Sequence, residues 1–235
     1  MIKSFIKIFF IIIVTIIWST IVIIVTPINY KGKITDFVIK IWAKHVLAIS
    51  FIKVKTVGIE NIKDNQNYIY IVNHSSWFDI LISLVAIPGS IKFVSKKQVF
   101  YIPIFGWAMW MAGYISIDRS RGIKAMRSIE KSAAKIRNGI SVIMFPDGTR
   151  SKDGSIQPFK RGAFLLAAKT KVPIIPVTIN GAEKVLPKDT LRLSGGTVEI
   201  VFDEQIPTID IKSKDDELKL LEKVRNVIIK NKKVI

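Results

Sequence analysis

One histidine and one aspartate stand close together after a short apolar segment. His74 and Asp79 follow residues 69–72, which are apolar throughout, as in a strand buried on both faces of a parallel sheet. Ser75 or Ser76 is a candidate N-cap that would start a helix and place Asp79 in its first turn. If the two side chains face each other, the carboxylate holds one imidazole nitrogen and leaves the other free as a general base. The alternative is a polar helix N-terminus without chemistry.

Three later junctions place cationic side chains directly after candidate strands. They carry Lys96, Arg119 and Arg150. Each junction taken alone has a structural explanation, as a solvated charge or an ordinary turn. Together with a base and its carboxylate, three cations form a set that can bind a phosphate and deprotonate a hydroxyl beside it.

The elements that must position these residues alternate along the chain. Candidate strands are residues 54–57, 68–72, 91–94, 114–117, 141–145, 174–179 and 198–202, and candidate helices are 104–112, 122–137, 162–169 and 213–230. This alternation predicts an α/β fold with a largely parallel sheet flanked by helices. In such sheets ligands bind at the carboxyl ends of the strands, where the residues above are expected to lie.

The N-terminal segment is apolar enough to enter a membrane. Residues 5–26 contain one charged side chain, Lys7, and their length matches one bilayer crossing. A cleaved signal peptide is the alternative, but the run is too long and no cleavage site of small residues follows it. We predict an uncleaved anchor that spans the bilayer or dips into one leaflet, and lysines at both ends leave its orientation open.

Residues 34–52 are a candidate amphipathic helix with Phe37 and Val46 on its apolar face. A basic helix of this kind lies in the membrane interface or packs on the sheet. His45 belongs to it and is interpreted as a surface or interfacial residue rather than a ligand. We therefore predict a membrane anchor with an amphipathic helix over residues 1–52, and an α/β domain with a C-terminal amphipathic helix over residues 53–235.

Composition excludes several classes of site. Lys and Arg number 36 against 18 Asp and Glu, a net charge of +18, so the surface attracts polyanions. A mean hydropathy of +0.36 is high for a nucleic-acid binder and favours an anionic membrane surface. The aromatic residues also lie in apolar segments rather than among the basic ones. Without cysteine there is no disulfide, thiolate metal site or cysteine nucleophile, and two histidines disfavour a histidine metal site.

Four ordered blocks of the sequence resemble the glycerolipid acyltransferase family. The blocks are Asn73-His74 with Asp79, residues 113–119, residues 145–151 and residues 172–177. The resemblance covers roughly residues 54–202 and is strongest to the bacterial type that acylates 1-acyl-sn-glycerol-3-phosphate. It implies transfer of a fatty acyl group from a thioester to the sn-2 hydroxyl of lysophosphatidic acid, which gives phosphatidic acid.

The same resemblance implies a role for each candidate residue. His74 would take the hydroxyl proton, Asp79 would fix its tautomer, and Lys96, Arg119 and Arg150 would hold the phosphate. No covalent acyl-enzyme is required, in keeping with the absence of cysteine. The acyl donor would be acyl-CoA or acyl-carrier protein as a substrate, with no cofactor and no metal.

Asn73, Asp147, Gly148 and Thr149 would support these residues. The third block of the family usually reads Phe-Pro-Glu-Gly-Thr-Arg, whereas this chain has Asp147 in place of the glutamate. The aspartate carboxylate is one methylene shorter, so a contact to the substrate or to Arg150 would need a small shift or a water.

The resemblance also implies where the protein works. Its partners would be membrane lipids, lysophosphatidic acid and the acyl donor, without nucleic acid or an obligate protein partner. It would lie at the cytoplasmic membrane with its active site on the cytoplasmic face. The alternatives are the same chemistry on another lyso-lipid, or a non-catalytic protein that binds anionic lipids, although a pure binder has no need for a base beside the cations.

Overall fold

The computed structural model describes residues 2–28, 32–117 and 123–233. The strands in these ranges are β1 (Ile52–Val57), β2 (Ile69–Val72), β3 (Ile91–Lys96), β4 (Ile115–Ile117), β5 (Ser141–Met144), β6 (Ile174–Asn180) and β7 (Gly196–Phe202). The α-helices are α1 (Ile2–Val25), α2 (Lys33–Ile49), α3 (Phe78–Ala86), α4 (Phe105–Met111), α5 (Ile123–Arg137), α6 (Gly162–Thr170), α7 (Ala182–Val185) and α8 (Lys214–Asn231). Short 3-10 turns cover Thr26–Ile28, Ile59–Asn61 and Lys97–Tyr101.

The described strands form one sheet in the order β1-β7-β6-β2-β5-β3-β4. Strands β6, β2, β5, β3 and β4 are parallel to one another. Strand β7 is antiparallel to β6, and β1 is parallel to β7. The prediction of a largely parallel sheet flanked by helices is therefore confirmed, with two reversed strands at one edge.

The centre of the sheet is buried on both faces, as the apolar run of β2 predicts. Tyr70 and Val72 belong to the core cluster under α2 and α3. Ile69 and Ile71 belong to the cluster under α5, α6 and α8. Successive side chains of β2 thus serve opposite helical layers, which fixes the register of the strand that leads into His74.

Helix α1 lies along α2, and polar contacts join the two helices near both ends. The Lys7 ammonium donates to the carbonyl of Ser50 at 3.4 Å, and the hydroxyls of Thr26 and Thr35 lie 3.3 Å apart. The opposite face of α1 is bare, with Phe9 59% exposed. Residues 2–28 are long and apolar enough to cross a membrane by length and composition, and only 11% of the most apolar window is buried.

The predicted helix over residues 34–52 is α2, and its predicted apolar face is only partly right. Val46 is buried, but Phe37 is 64% exposed and Ile52 already belongs to β1. The helix packs between α1 and the sheet and therefore buries a different stripe, which includes Val38 and Ile39. The division of the chain at residue 52 stays a prediction, since both N-terminal helices contact the rest of the fold.

Candidate active site

The His74 imidazole and the Asp79 carboxylate form the contact that the sequence predicts. Nδ1 of His74 lies 2.9 Å from Oδ2 of Asp79, with the imidazole 14% exposed and the carboxylate fully buried. A neutral imidazole that donates from Nδ1 to a carboxylate presents Nε2 as a proton acceptor. The pair thus has the arrangement of a general base and the acid that orients it.

The turn before α3 is organised by Ser76 and Asp79 together. Helix α3 begins directly after Trp77, and the hydroxyl of Ser76 accepts a hydrogen bond from the N–H of its first residue, Phe78, at 3.4 Å. Oδ2 of Asp79 in turn accepts hydrogen bonds from the backbone N–H groups of Ser75 at 2.7 Å and Ser76 at 2.8 Å. The Ser76 hydroxyl thus binds an N–H of the first turn, as the sequence predicts, although Trp77 stands between Ser76 and the first helical residue.

The histidine itself contacts the loop after β5. The ring of His74 stacks on Phe145, with centroids 4.3 Å apart and planes inclined by 23°. The backbone N–H of Ser151 donates to the carbonyl of His74 at 2.8 Å. Sequence reasoning missed Phe145, whose position at the end of a buried strand was the available signal. The base is therefore held between a carboxylate and an aromatic face.

Asn73, immediately before the histidine, connects β2 to β6 through hydrogen bonds. Its amide Nδ2 donates to the carbonyl of Ile179 at 3.0 Å, and its Oδ1 accepts from the Ile179 N–H at 2.7 Å. The side chain thus satisfies both backbone groups of a buried residue. Asn73 thus connects the end of β2 to β6, and its supporting role in the reaction stays a prediction.

Asp147 lies beneath the histidine backbone and is almost completely buried. Its Oδ2 accepts from the His74 N–H at 2.8 Å, whereas Oδ1 has no partner among the described residues. The pKa of Asp147 is raised to about 7, chiefly by burial and also by the charge of Asp79, against the opposing effect of the His74 hydrogen bond. This carboxyl contacts the histidine turn, and no hydrogen bond or ion pair joins it to Arg150.

Arg150 lies next to the histidine turn, because the following residue Ser151 is bonded to it. Its guanidinium carbon is 4.7 Å from the centroid of the Trp77 ring. No described carboxylate forms an ion pair with Arg150. Trp77 is a second residue that sequence reasoning missed, because nothing in its spacing pointed to a partner in another loop.

Lys96 is the last residue of β3 and is exposed. In the sheet Phe93 pairs with Ile143, and Ile71 pairs with Met144. By this register Lys96 is level with Asn73, the residue before His74. The two positions are two strands, about 10 Å, apart across the sheet. Arg119 falls outside the described residues. Of the three predicted cations, the structure therefore places Lys96 and Arg150 at the same edge as the histidine.

Gly148 and Thr149 shape the loop that carries Arg150. Gly148 has a φ of +72°, and a Cβ there would lie 2.8 Å from the ammonium nitrogen of Lys160. The hydroxyl of Thr149 accepts a long hydrogen bond from Lys188, at 3.5 Å. The supporting role of Gly148 and Thr149 in the site stays a prediction. In residues 2–28, 32–117 and 123–233 no three His, Asp or Glu side chains cluster as metal ligands.

The family model described as acyltransferase matches residues 53–180, a segment that contains the histidine turn, Asp147, Arg150 and the strands that hold them. The chain belongs to the acyltransferase family. A solved acyltransferase has the same architecture, the crystal structure of the 1-acyl-sn-glycerophosphate (LPA) acyltransferase PlsC from Thermotoga maritima. The TM-score is 0.82 at 26% identity, over 97% of this chain and 92% of that one.

Curated acyltransferases are also similar over most of the chain. The chloroplastic 1-acyl-sn-glycerol-3-phosphate acyltransferase BAT2 of Brassica napus is 37% identical over 180 residues, which are 76% of this chain and 52% of that protein. The human 1-acyl-sn-glycerol-3-phosphate acyltransferase alpha is 30% identical over 193 residues, 82% of this chain and 68% of that protein. The chain spans about half the length of the chloroplastic relatives of Brassica and Arabidopsis, 52% and 55%.

Proposed function

We propose that the protein transfers a fatty acyl group from an acyl thioester to the sn-2 hydroxyl of lysophosphatidic acid and so makes phosphatidic acid. The observation that carries the proposal is the imidazole of His74, held by Asp79 and placed beside a guanidinium that has no carboxylate partner among the described residues. The names of the similar acyltransferases support this acceptor.

The reaction needs one proton acceptor and no covalent intermediate. Nε2 of His74 takes the proton of the acceptor hydroxyl as its oxygen attacks the thioester carbonyl carbon. The carbon–sulfur bond then breaks, and the thiolate leaves with the proton of the imidazolium. Asp79 stabilises the imidazolium and keeps Nδ1 protonated throughout. General base catalysis of this kind contributes about 10²–10⁴ in rate.

The phosphate of the acceptor would bind to the cations at the same edge. The Arg150 guanidinium supplies a planar set of donors that matches two phosphate oxygens. Lys96 lies level with the histidine turn, two strands away, and Arg119 completes the set by the family resemblance. A phosphate fixed at this edge holds the neighbouring hydroxyl near Nε2, which lowers the entropic cost of the reaction.

The exposed apolar face of α1 supports a position of this helix in one leaflet of the membrane. The contacts of Lys7 with Ser50 and of Thr26 with Thr35 keep α1 beside α2 along its length. A full crossing would carry α2, with Asp36 and Lys40, into the hydrocarbon, which is costly. We therefore place α1 in the cytoplasmic leaflet of the cytoplasmic membrane, where both candidate acyl donors occur.

Lyso-lipids with other headgroups are the second candidate acceptors, since the same base would serve any neighbouring hydroxyl. The count of cations favours a phosphate monoester. The surface charge of +18 would attract an acidic donor, whether acyl-CoA or acyl-carrier protein.

The test is acyl transfer by the purified protein in vesicles, with lysophosphatidic acid, lysophosphatidylcholine and glycerol 3-phosphate as acceptors and with each donor. We expect lysophosphatidic acid to have the highest kcat/KM and Arg150→Ala to raise its KM. Higher kcat/KM with another acceptor would contradict the substrate. Vesicle binding without any acyl transfer would identify a lipid-binding protein instead.

A further inference from the structure

The indole of Trp77 is large, exposed and not explained by the core. It is 54% exposed, whereas its neighbours Ser76 and Phe78 are buried. It follows the histidine by three positions and immediately precedes α3. Burial of apolar area therefore does not account for the position of this side chain.

The Arg150 guanidinium lies over the indole, with 4.7 Å between its carbon and the ring centroid. This distance lies within the range of a cation–π contact. The two residues come from different loops, one before α3 and one after β5. The hydrogen bond from the Ser151 N–H to the His74 carbonyl, at 2.8 Å, holds these loops together.

An aromatic partner has a consequence for the arginine that a carboxylate would not have. A carboxylate would occupy the guanidinium N–H groups and cancel their charge. An aromatic face restrains the same side chain while its N–H edge stays available. Arg150 is therefore restrained and still able to bind an anion with its full set of donors.

We propose that Trp77 is a positioning residue that holds Arg150 ready for the acceptor phosphate and so sets the distance from phosphate to base. Trp77 and His74 share one turn, and that turn is rigid because Asp79 binds its N–H groups. The indole thus links the position of the guanidinium to the position of the imidazole. This proposal rests on the proposed function, because the phosphate belongs to the acceptor named there.

The kinetic test is a double-mutant cycle of Trp77→Ala and Arg150→Ala, with lysophosphatidic acid as the acceptor. We expect Trp77→Ala to raise KM about 2- to 30-fold, the range that a cation–π contact spans, with kcat and its pH profile little changed. Trp77→Phe should recover part of the loss. The double variant should be no worse than Arg150→Ala, since the tryptophan acts through the arginine.

Trp110→Ala is the matched control, because this tryptophan is also exposed, at 74%, but lies in α4. An equal rise in KM for Trp110→Ala would overturn the proposal in favour of a general membrane effect. Additive losses in the double variant, or a fall in kcat at constant KM, would also overturn it.

A binding experiment separates this proposal from the proposed function. Glycerol 3-phosphate should change the tryptophan fluorescence of the wild type, and Trp77→Phe or Arg150→Ala should abolish that change. If the wild type does not acylate lysophosphatidic acid but shows this response, the proposed function is wrong and the positioning role of Trp77 is supported. If the response persists in both variants, the proposal fails whatever the acylation assay gives.

Discussion

Asp79 uses a single carboxylate oxygen to hold both the imidazole and the turn that carries it. Oδ2 accepts from three nitrogens, those of the His74 ring and of the Ser75 and Ser76 backbone, whereas Oδ1 is buried with no partner among the described residues. The two tasks cannot be separated, since loss of the carboxylate releases the turn and the ring together.

Asp79→Asn should lower kcat by about 10³–10⁴, because a neutral amide neither stabilises the imidazolium nor fixes the correct tautomer. Single-turnover assays with lysophosphatidic acid measure this loss. Asp64→Asn is the control, since Asp64 is an exposed carboxylate outside the site. Activity within tenfold of the wild type would remove Asp79 from the mechanism.

Asp147 should make the stability of the protein depend on pH. Burial raises the pKa of its carboxyl to about 7 in the folded state, above about 3.9 in the unfolded chain. The folded state therefore binds the proton more tightly. The contribution of this group is complete below the unfolded pKa and is lost as the pH rises through the folded one.

Asp147→Asn should remove the pH-dependent contribution of this carboxyl to stability. That contribution is a change of about 2–3 kcal/mol in the free energy of unfolding between pH 5 and pH 8. The amide can still accept the His74 N–H through its oxygen, so the turn is retained. Urea denaturation at several pH values measures the slope. A slope equal to that of the wild type would show that Asp147 is ionised in the folded protein throughout this range.

The chemistry of single residues could be predicted where spacing within one turn decides it. His74 and Asp79 meet because only four residues separate them, and the turn leaves few alternatives. Trp77 and Phe145 were missed because each has its partner in a different loop. The distance between such loops follows from the strand order β2-β5, which no local pattern encodes.

Strand β2 leads into the histidine turn, and the Asn73 side chain forms hydrogen bonds from the end of that strand to β6. Asn73→Ala would leave the N–H and carbonyl of Ile179 buried without partners. We expect a loss of about 2–4 kcal/mol in the free energy of unfolding, measured by chemical denaturation. Asn138→Ala, at an exposed position, should change it by less than about 0.5 kcal/mol. An equal loss in both would contradict the bridging role.

Helix α4 extends the apolar surface of α1 with two exposed tryptophans. Trp107 and Trp110 are 59% and 74% exposed, and they line an apolar groove of about 390 Å³ with Ile23 of α1. Tryptophan is enriched where proteins meet the membrane interface. We infer that α4 and α1 contact the same leaflet.

Brominated phospholipids should therefore quench the fluorescence of Trp110 in vesicles. Trp110→Phe should lower the quenched fraction of the total signal from the five tryptophans more than Trp42→Phe, because Trp42 is partly buried between α1 and α2, where it donates to Thr15. Equal quenching in the wild type and Trp110→Phe would place α4 away from the lipid.

The elements were predictable to within a few residues where the apolar period was clear, as in α8, expected at 213–230 and observed at Lys214–Asn231. The direction of a strand in the sheet was not predictable, because the side-chain pattern of a buried strand is the same in both directions. The reversed β7 and β1 therefore appear only in the structure. The four-residue helix α7 is too short to have an apolar period and was not predicted.

In the molecule as a whole, the reversed strands bring the N-terminal helices to the edge that carries the site. Gly196 of β7 pairs with Ile52 of β1, beyond the carboxyl end of β6. The end of α2, which precedes Ile52, therefore lies at the same edge as the histidine turn. A leaflet that holds α1 would deliver a lyso-lipid to the base by lateral diffusion, without release into water.

Acyl transfer from an acyl thioester to lysophosphatidic acid by His74→Ala, compared with the wild type in the same vesicles, tests the role of the imidazole. We predict that the variant binds the vesicles as the wild type does and loses at least about 10²-fold in kcat. The loss should not be recovered at higher acceptor concentration, since the base acts on the chemical step. Retention of most of the wild-type kcat would contradict the proposed mechanism.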